Sequence, residues 1–84
     1  MVNNRSFVER FSIKINDIRV EKNLTIEQLA DLASVHRTTI GLIIRNERSP
    51  SLQMAKQITD ALGIHLSEII AQIEVEIEID KGID

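Results

Sequence analysis

Apolar residues recur along most of this chain at the three- and four-residue spacings of a helix face. Phe7, Phe11, Ile15 and Ile18 predict a first helix over residues 4–22 that buries both phenylalanines, with Asn23 as its left-handed stop. Thr25-Ile26-Glu27-Gln28 has the form of a capping box and opens a second helix over residues 26–33, with Leu29, Ala30 and Ala33 inward. Ser34-Val35 interrupts the pattern. A third helix follows over residues 37–45, with His36 near its cap and Ile40 and Ile43 inward. Pro50 closes a polar loop, and a fourth helix over residues 51–62 turns Leu52, Ala55, Ile58 and Leu62 inward, with Gly63 just past its end. A fifth starts at His65-Leu66 and runs to about residue 72.

There the period changes. Ile73, Val75, Ile77 and Ile79 alternate with Glu74, Glu76, Glu78 and Asp80, which is the pattern of a strand. A single strand leaves its backbone groups unpaired, and a second copy of the same segment is the simplest partner. The expectation is an antiparallel pair across a homodimer axis, with Ile69, Ile73, Val75, Ile77 and Ile79 as the dimerisation residues. Leu66, Ile69, Ile70, Ile73 and Ile77 also fit a helical face, but the run of β-branched residues favours strand. A disordered tail is the third reading. The organisation expected is a helical domain over residues 1–72 and an acidic dimerisation element over residues 73–84.

Composition narrows the function classes. The 84 residues hold no cysteine, no apolar run of membrane-spanning length and no signal-peptide pattern, so a cytoplasmic protein without disulfides, thiolate zinc sites or membrane association is expected. Net charge is −3, and it is unevenly spread, at +2 over residues 1–65 and −5 over residues 66–84. That balance opposes indiscriminate polyanion binding but allows a reader whose few cations lie on one face. With Phe7 and Phe11 as the only aromatics, stacking on single strands is disfavoured. No phosphate loop, activated nucleophile or metal-ligand spacing is present, so neither an enzyme nor a cofactor or metal site is expected. The four carboxylates of the tail read most simply as a solvated face.

Residues 24–52, LTIEQLADLASVHRTTIGLIIRNERSPSL, place two short helices around a tight turn, with the polar run His36-Arg37-Thr38-Thr39 opening the second. In a helix-turn-helix, that end enters the major groove of DNA. Leu24-Thr25, Glu27-Gln28-Leu29-Ala30, Val35, Arg37-Thr38-Thr39-Ile40, Ile43, Arg45, Arg48-Ser49-Pro50-Ser51-Leu52 and Ala61-Leu62-Gly63-Ile64 resemble the lambda-repressor-like, xenobiotic-response-element-type (XRE) helix-turn-helix family. The likeness spans residues 13–72 and includes phage-repressor-like members, and Val35 to Ile40 is especially similar to restriction–modification controllers. It implies an all-α, five-helix, dimeric regulator that reads a near-palindromic site in double-stranded DNA.

By the same resemblance, base contacts fall to Arg37, Thr38 and Leu42, with His36 and Thr39 on base or phosphate. Phosphate contacts fall to Thr25, Arg45, Asn46 and Arg48. Ile26 stands where the family usually has Gln, Ser34 where Gly is common, and Leu42 where a polar reader is usual. Ile44 replaces a Glu that pairs with the arginine equivalent to Arg19, so Arg19 is expected to lack that partner and Ile44 to lie near the surface. Gly41 admits two readings, close approach to DNA or helix packing. The competing function is a protein-interaction module, such as an antitoxin whose terminal strand completes a partner protein's sheet. The plainest alternative is a helical unit that touches no nucleic acid.

Overall fold

Four polar residues decide where helices begin. In the computed structural model, which describes residues 5–82, the side chains of Ser6, Thr25 and Ser51 each accept from the backbone N–H three residues on. His36 does the same for Thr38 through Nδ1. Each satisfies a donor that a helix start leaves without an intrahelical acceptor. They open α1 (Phe7–Glu21), α2 (Ile26–Ala33), α3 (Arg37–Ile44) and α4 (Leu52–Ala61), and α5 (Leu66–Gly82) follows.

The exits are as uniform as the entries. After α1 to α4 the chain passes through a positive φ, at Asn23 (59°), Ser34 (57°), Asn46 (58°) and Gly63 (73°). Each of these residues donates its N–H to the carbonyl three back, and the next residue donates to the carbonyl five back, as Leu24 does to Arg19 and Val35 to Ala30. This pair of bonds is the Schellman closure. After α1, α2 and α4 the residue making the longer bond is apolar and packs on the core: Leu24, Val35 and Ile64. After α3 it is Glu47, which is exposed.

The core gathers one face of every helix, including Phe11 and Ile15, Leu29, Ile40 and Ile43, Ile58 and Leu62, and Ile69 and Ile73. Ala30 and Ala33 are buried where α2 meets its neighbours. Two expected core residues lie elsewhere. Leu52 is 75% exposed and Phe7 38%, because both stand in the first turn of their helices and overhang an open apolar groove shared with Phe11, Pro50, Leu66 and Ile70.

The tail overturns the strand expectation. α5 continues unbroken through residues 73–80, and no strand occurs among the described residues. Helical winding puts Ile69, Ile73 and Ile77 on one face together with Glu76 and Asp80, and that face meets α1. Ile73 is completely buried there. Arg10, only 7% exposed, donates to Glu76 at 3.3 Å and also to Asp80, while Lys14 donates to Glu76. The Asp80 hydrogen bond holds the Arg10 pKa above its ordinary value against the opposing effect of desolvation.

The acidic run is therefore not one solvated face, since Glu74 and Glu78 face water while Glu76 and Asp80 clasp α1. Antiparallel strand pairing across a dimer axis has no strand to make it. Ile69 and Ile73 are used in the protomer's own core, Ile77 is half-buried, and Val75 and Ile79 are exposed. Packing of this face against α1 outweighs the weak strand preference of β-branched residues.

Candidate nucleic-acid interface

The site is built from two helix starts. In the capping box of α2, Gln28 N–H donates to Thr25 Oγ1 (3.0 Å) and Thr25 N–H to Gln28 Oε1 (2.8 Å). Of the N–H groups that a first turn leaves over, those of Ile26 and Glu27 remain available at the positive end of the helix dipole. At α3, His36 Nδ1 accepts from Thr38 N–H (3.1 Å), which leaves Nε2 as the ring's remaining polar atom.

The two starts meet in a shallow groove lined by Ile26, Glu27, Arg37, Thr38, Gly41 and Arg45. The structure thus brings together Arg37, Thr38 and Arg45 beside the opening of α2. Thr25, His36, Arg37 and Thr38 are exposed, and nothing among the described residues covers this edge. Leu42 follows Thr38 by one turn on the same side of α3 and is half-buried. Thr39, also half-buried, lies round the helix from the groove, and Asn46 and Arg48 are exposed on the turn beyond it.

Electrostatically the groove is mixed. Arg37 and Arg45 face Glu27 across it, and Arg45 Nε also donates to Glu47 (2.8 Å). Arg48 adds a cation on the following turn. Arg19 donates to Leu24 O (2.7 Å) and Asn16 Oδ1, so it braces the α1–α2 turn in place of the missing glutamate partner, and Ile44 is half-buried against the core.

Sequence reasoning missed three contributors: Glu27, Glu47 and Gln57. Gln57 donates its side-chain N–H to Ala33 O (3.0 Å) and so ties α4 to the end of α2. The spacing of Arg45 and Glu47 was the one available signal, whereas the Gln57 contact joins residues 24 positions apart and leaves no local pattern. Among the described residues no group of side chains could hold a metal ion, and no helix is long and apolar enough to cross a membrane.

Two helices around a tight left-handed turn, with the polar end of the second bare, define a helix-turn-helix domain. A family model described as Helix-turn-helix matches residues 15–69, and the chain belongs to that family. It is 29% identical to the cryptic phage CTXphi transcriptional repressor RstR of Vibrio cholerae over 81% of this chain and 61% of that protein. It is 36% identical to the control protein C.BamHI of Bacillus amyloliquefaciens over 71% of this chain and 75% of that one. Among solved structures, the restriction-modification controller protein C.AhdI from Aeromonas hydrophila superposes with a TM-score of 0.70 at 29% identity, covering 74% of this chain and 94% of that one. The chain thus spans just over three-fifths of the phage repressor's length.

Proposed function

We propose that this chain is a sequence-specific regulator of transcription that binds double-stranded DNA as a homodimer and reads a near-palindromic operator through α3. The observation that carries the reading is the exposed first turn of α3, where Arg37 and Thr38 share a groove with the start of α2. Laid in the major groove, Arg37 meets guanine O6 and N7 in a bidentate pair and Thr38 meets a base edge or a thymine methyl. Leu42 contributes an apolar contact one turn on, and His36 and Thr39 flank the bases.

Thr25, the α2 amides, Arg45, Asn46 and Arg48 hold phosphates on either side. Two copies related by a twofold axis place their α3 helices roughly 34 Å apart, one turn of duplex. Val75 and Ile79, exposed on the outer side of α5, support self-association in a domain of this size. The cytoplasm is the compartment that this reading implies. The names of its relatives, a phage repressor and restriction–modification controllers, support a role in a phage-like or restriction–modification switch. A strand donated to a partner's sheet is not available from a helical α5.

Selection from random duplexes yields the operator on which the roles separate. Arg37→Ala should cost about 1–3 kcal/mol on that operator and relax preference at a single base pair. Arg48→Ala should weaken binding to every sequence alike and lower the salt slope by about 1. Small, equal losses from both would show that α3 is not the reader, and sedimentation of the free chain checks the dimer.

A further inference from the structure

Gly41 stands in the middle of an eight-residue helix, where glycine is the poorest choice short of proline. Its surroundings supply a reason. A Cβ added there would lie 3.1 Å from Nη1, 3.6 Å from Nη2 and 3.7 Å from Cζ of Arg45. The guanidinium therefore rests against the bare backbone one turn back along α3.

A second residue holds it from the other side, because Arg45 Nε donates to Glu47 Oε2 at 2.8 Å. Glu47 is itself fixed by the turn, where its N–H donates to Leu42 O at 2.8 Å. In the three sister turns this position carries an apolar residue packed on the core, and here alone it carries an exposed carboxylate. With Nε engaged, Nη1 and Nη2 are the donors left for a ligand, and Arg45 lines the groove shared with Ile26, Glu27, Arg37 and Thr38.

We infer that Gly41 and Glu47 are positioning residues for Arg45. Gly41 is the seat and Glu47 the brace that order this arginine before a DNA phosphate arrives. The inference rests on the DNA-binding function proposed above, and it names Arg45 as a preset phosphate clamp. A flexible arginine must lose rotamer freedom on binding, whereas one already held in place loses less. It also separates the two sequence readings of Gly41: the space is kept for a side chain of its own helix, not for the DNA backbone or a neighbouring helix.

The test uses the full chain and a random-sequence duplex, with binding followed across a salt titration. Gly41→Ala, Glu47→Ala and Arg45→Ala are compared singly, and the first two also in combination with the third. Arg45→Ala should weaken binding several-fold and reduce the log–log salt slope by about 0.9, the signature of one lost phosphate contact. Gly41→Ala and Glu47→Ala should each move in the same direction, with little further loss on top of Arg45→Ala. Gly41→Ala should melt at or above the wild-type temperature, since alanine is the better helix former. In the free protein, the Arg45 Nε–Hε resonance should shift in both variants.

If the wild type binds but either positioning variant binds unchanged or tighter, the inference is overturned. Losses that add fully to that of Arg45→Ala would overturn it as well, because Gly41 or Glu47 would then act on DNA directly. An Arg45→Ala variant that binds as the wild type does has the same force. A wild-type chain that ignores the duplex at low salt would instead remove the DNA-binding reading, and the inference with it.

Discussion

α3 and the second half of α5 are two helical segments of similar length, each carrying charge and one bare side, and they are held in opposite ways. α3 is fixed by its neighbours in sequence: His36 caps it, Ser34 and Asn46 turn the chain at its two ends, and Ile40 and Ile43 anchor it. Its one charged residue, Arg37, is exposed and is left for a ligand. The end of α5 is fixed by residues 62 to 70 positions away, through Lys14 and Arg10, and two of its carboxylates are turned inward to them. The first arrangement suits a reading edge, whose polar groups must stay available. The second suits a clasp, whose polar groups are used up in closing the fold.

Ile73→Ala is the strongest test of that contrast. Truncating a fully buried isoleucine should destabilise the domain by about 2–5 kcal/mol in chemical denaturation. A loss below ~1 kcal/mol would mean that the end of α5 is only loosely attached and that the comparison fails. The structure also explains why the sequence pointed the other way. Ile73, Val75, Ile77 and Ile79 satisfy a period of two, while Ile69, Ile73 and Ile77 satisfy 3.6, and pattern alone cannot rank them. The deciding partners, Arg10 and Lys14, sit at the far end of the chain.

By contrast, the local structure of α2 and of the start of α3 was legible almost residue by residue. The Thr25–Gln28 capping box, the left-handed Asn23, the start of α3 at His36 and the limits of α2 all depend on groups within a few positions of one another. Leu52 and Phe7 show where local pattern stops being enough. Both continue a helical stripe, but the core ends before the stripe does.

The local side of the contrast is probed by Thr25→Ala, which removes one hydrogen bond of the capping box. The expected cost is about 1 kcal/mol with no change in the dependence on denaturant, since the surface exposed on unfolding is unaltered. A much larger loss would show that α2 leans on its cap as heavily as α5 leans on α1.

The smallest expected effect is one of pH. A hydrogen bond from Lys14, aided by Arg10, lowers the Glu76 carboxyl below its ordinary value of 4.5. The folded form therefore takes up this proton less readily than the unfolded chain. Its contribution is complete above pH 4.5 and is lost as pH falls through the lower folded value. Thermal melts of Glu76→Gln against the wild type should differ by a constant amount near neutrality and converge in acid. A gap that widens in acid would contradict the clasp.

The four matching helix exits bear on how quickly the domain is assembled. Because each bend is set by bonds reaching back no more than five residues, α1 to α4 can take their directions without first closing a long loop. The docking of α5 on α1 is the step that spans most of the polypeptide, so the search for the native topology is short and its slow, entropically costly part is concentrated there.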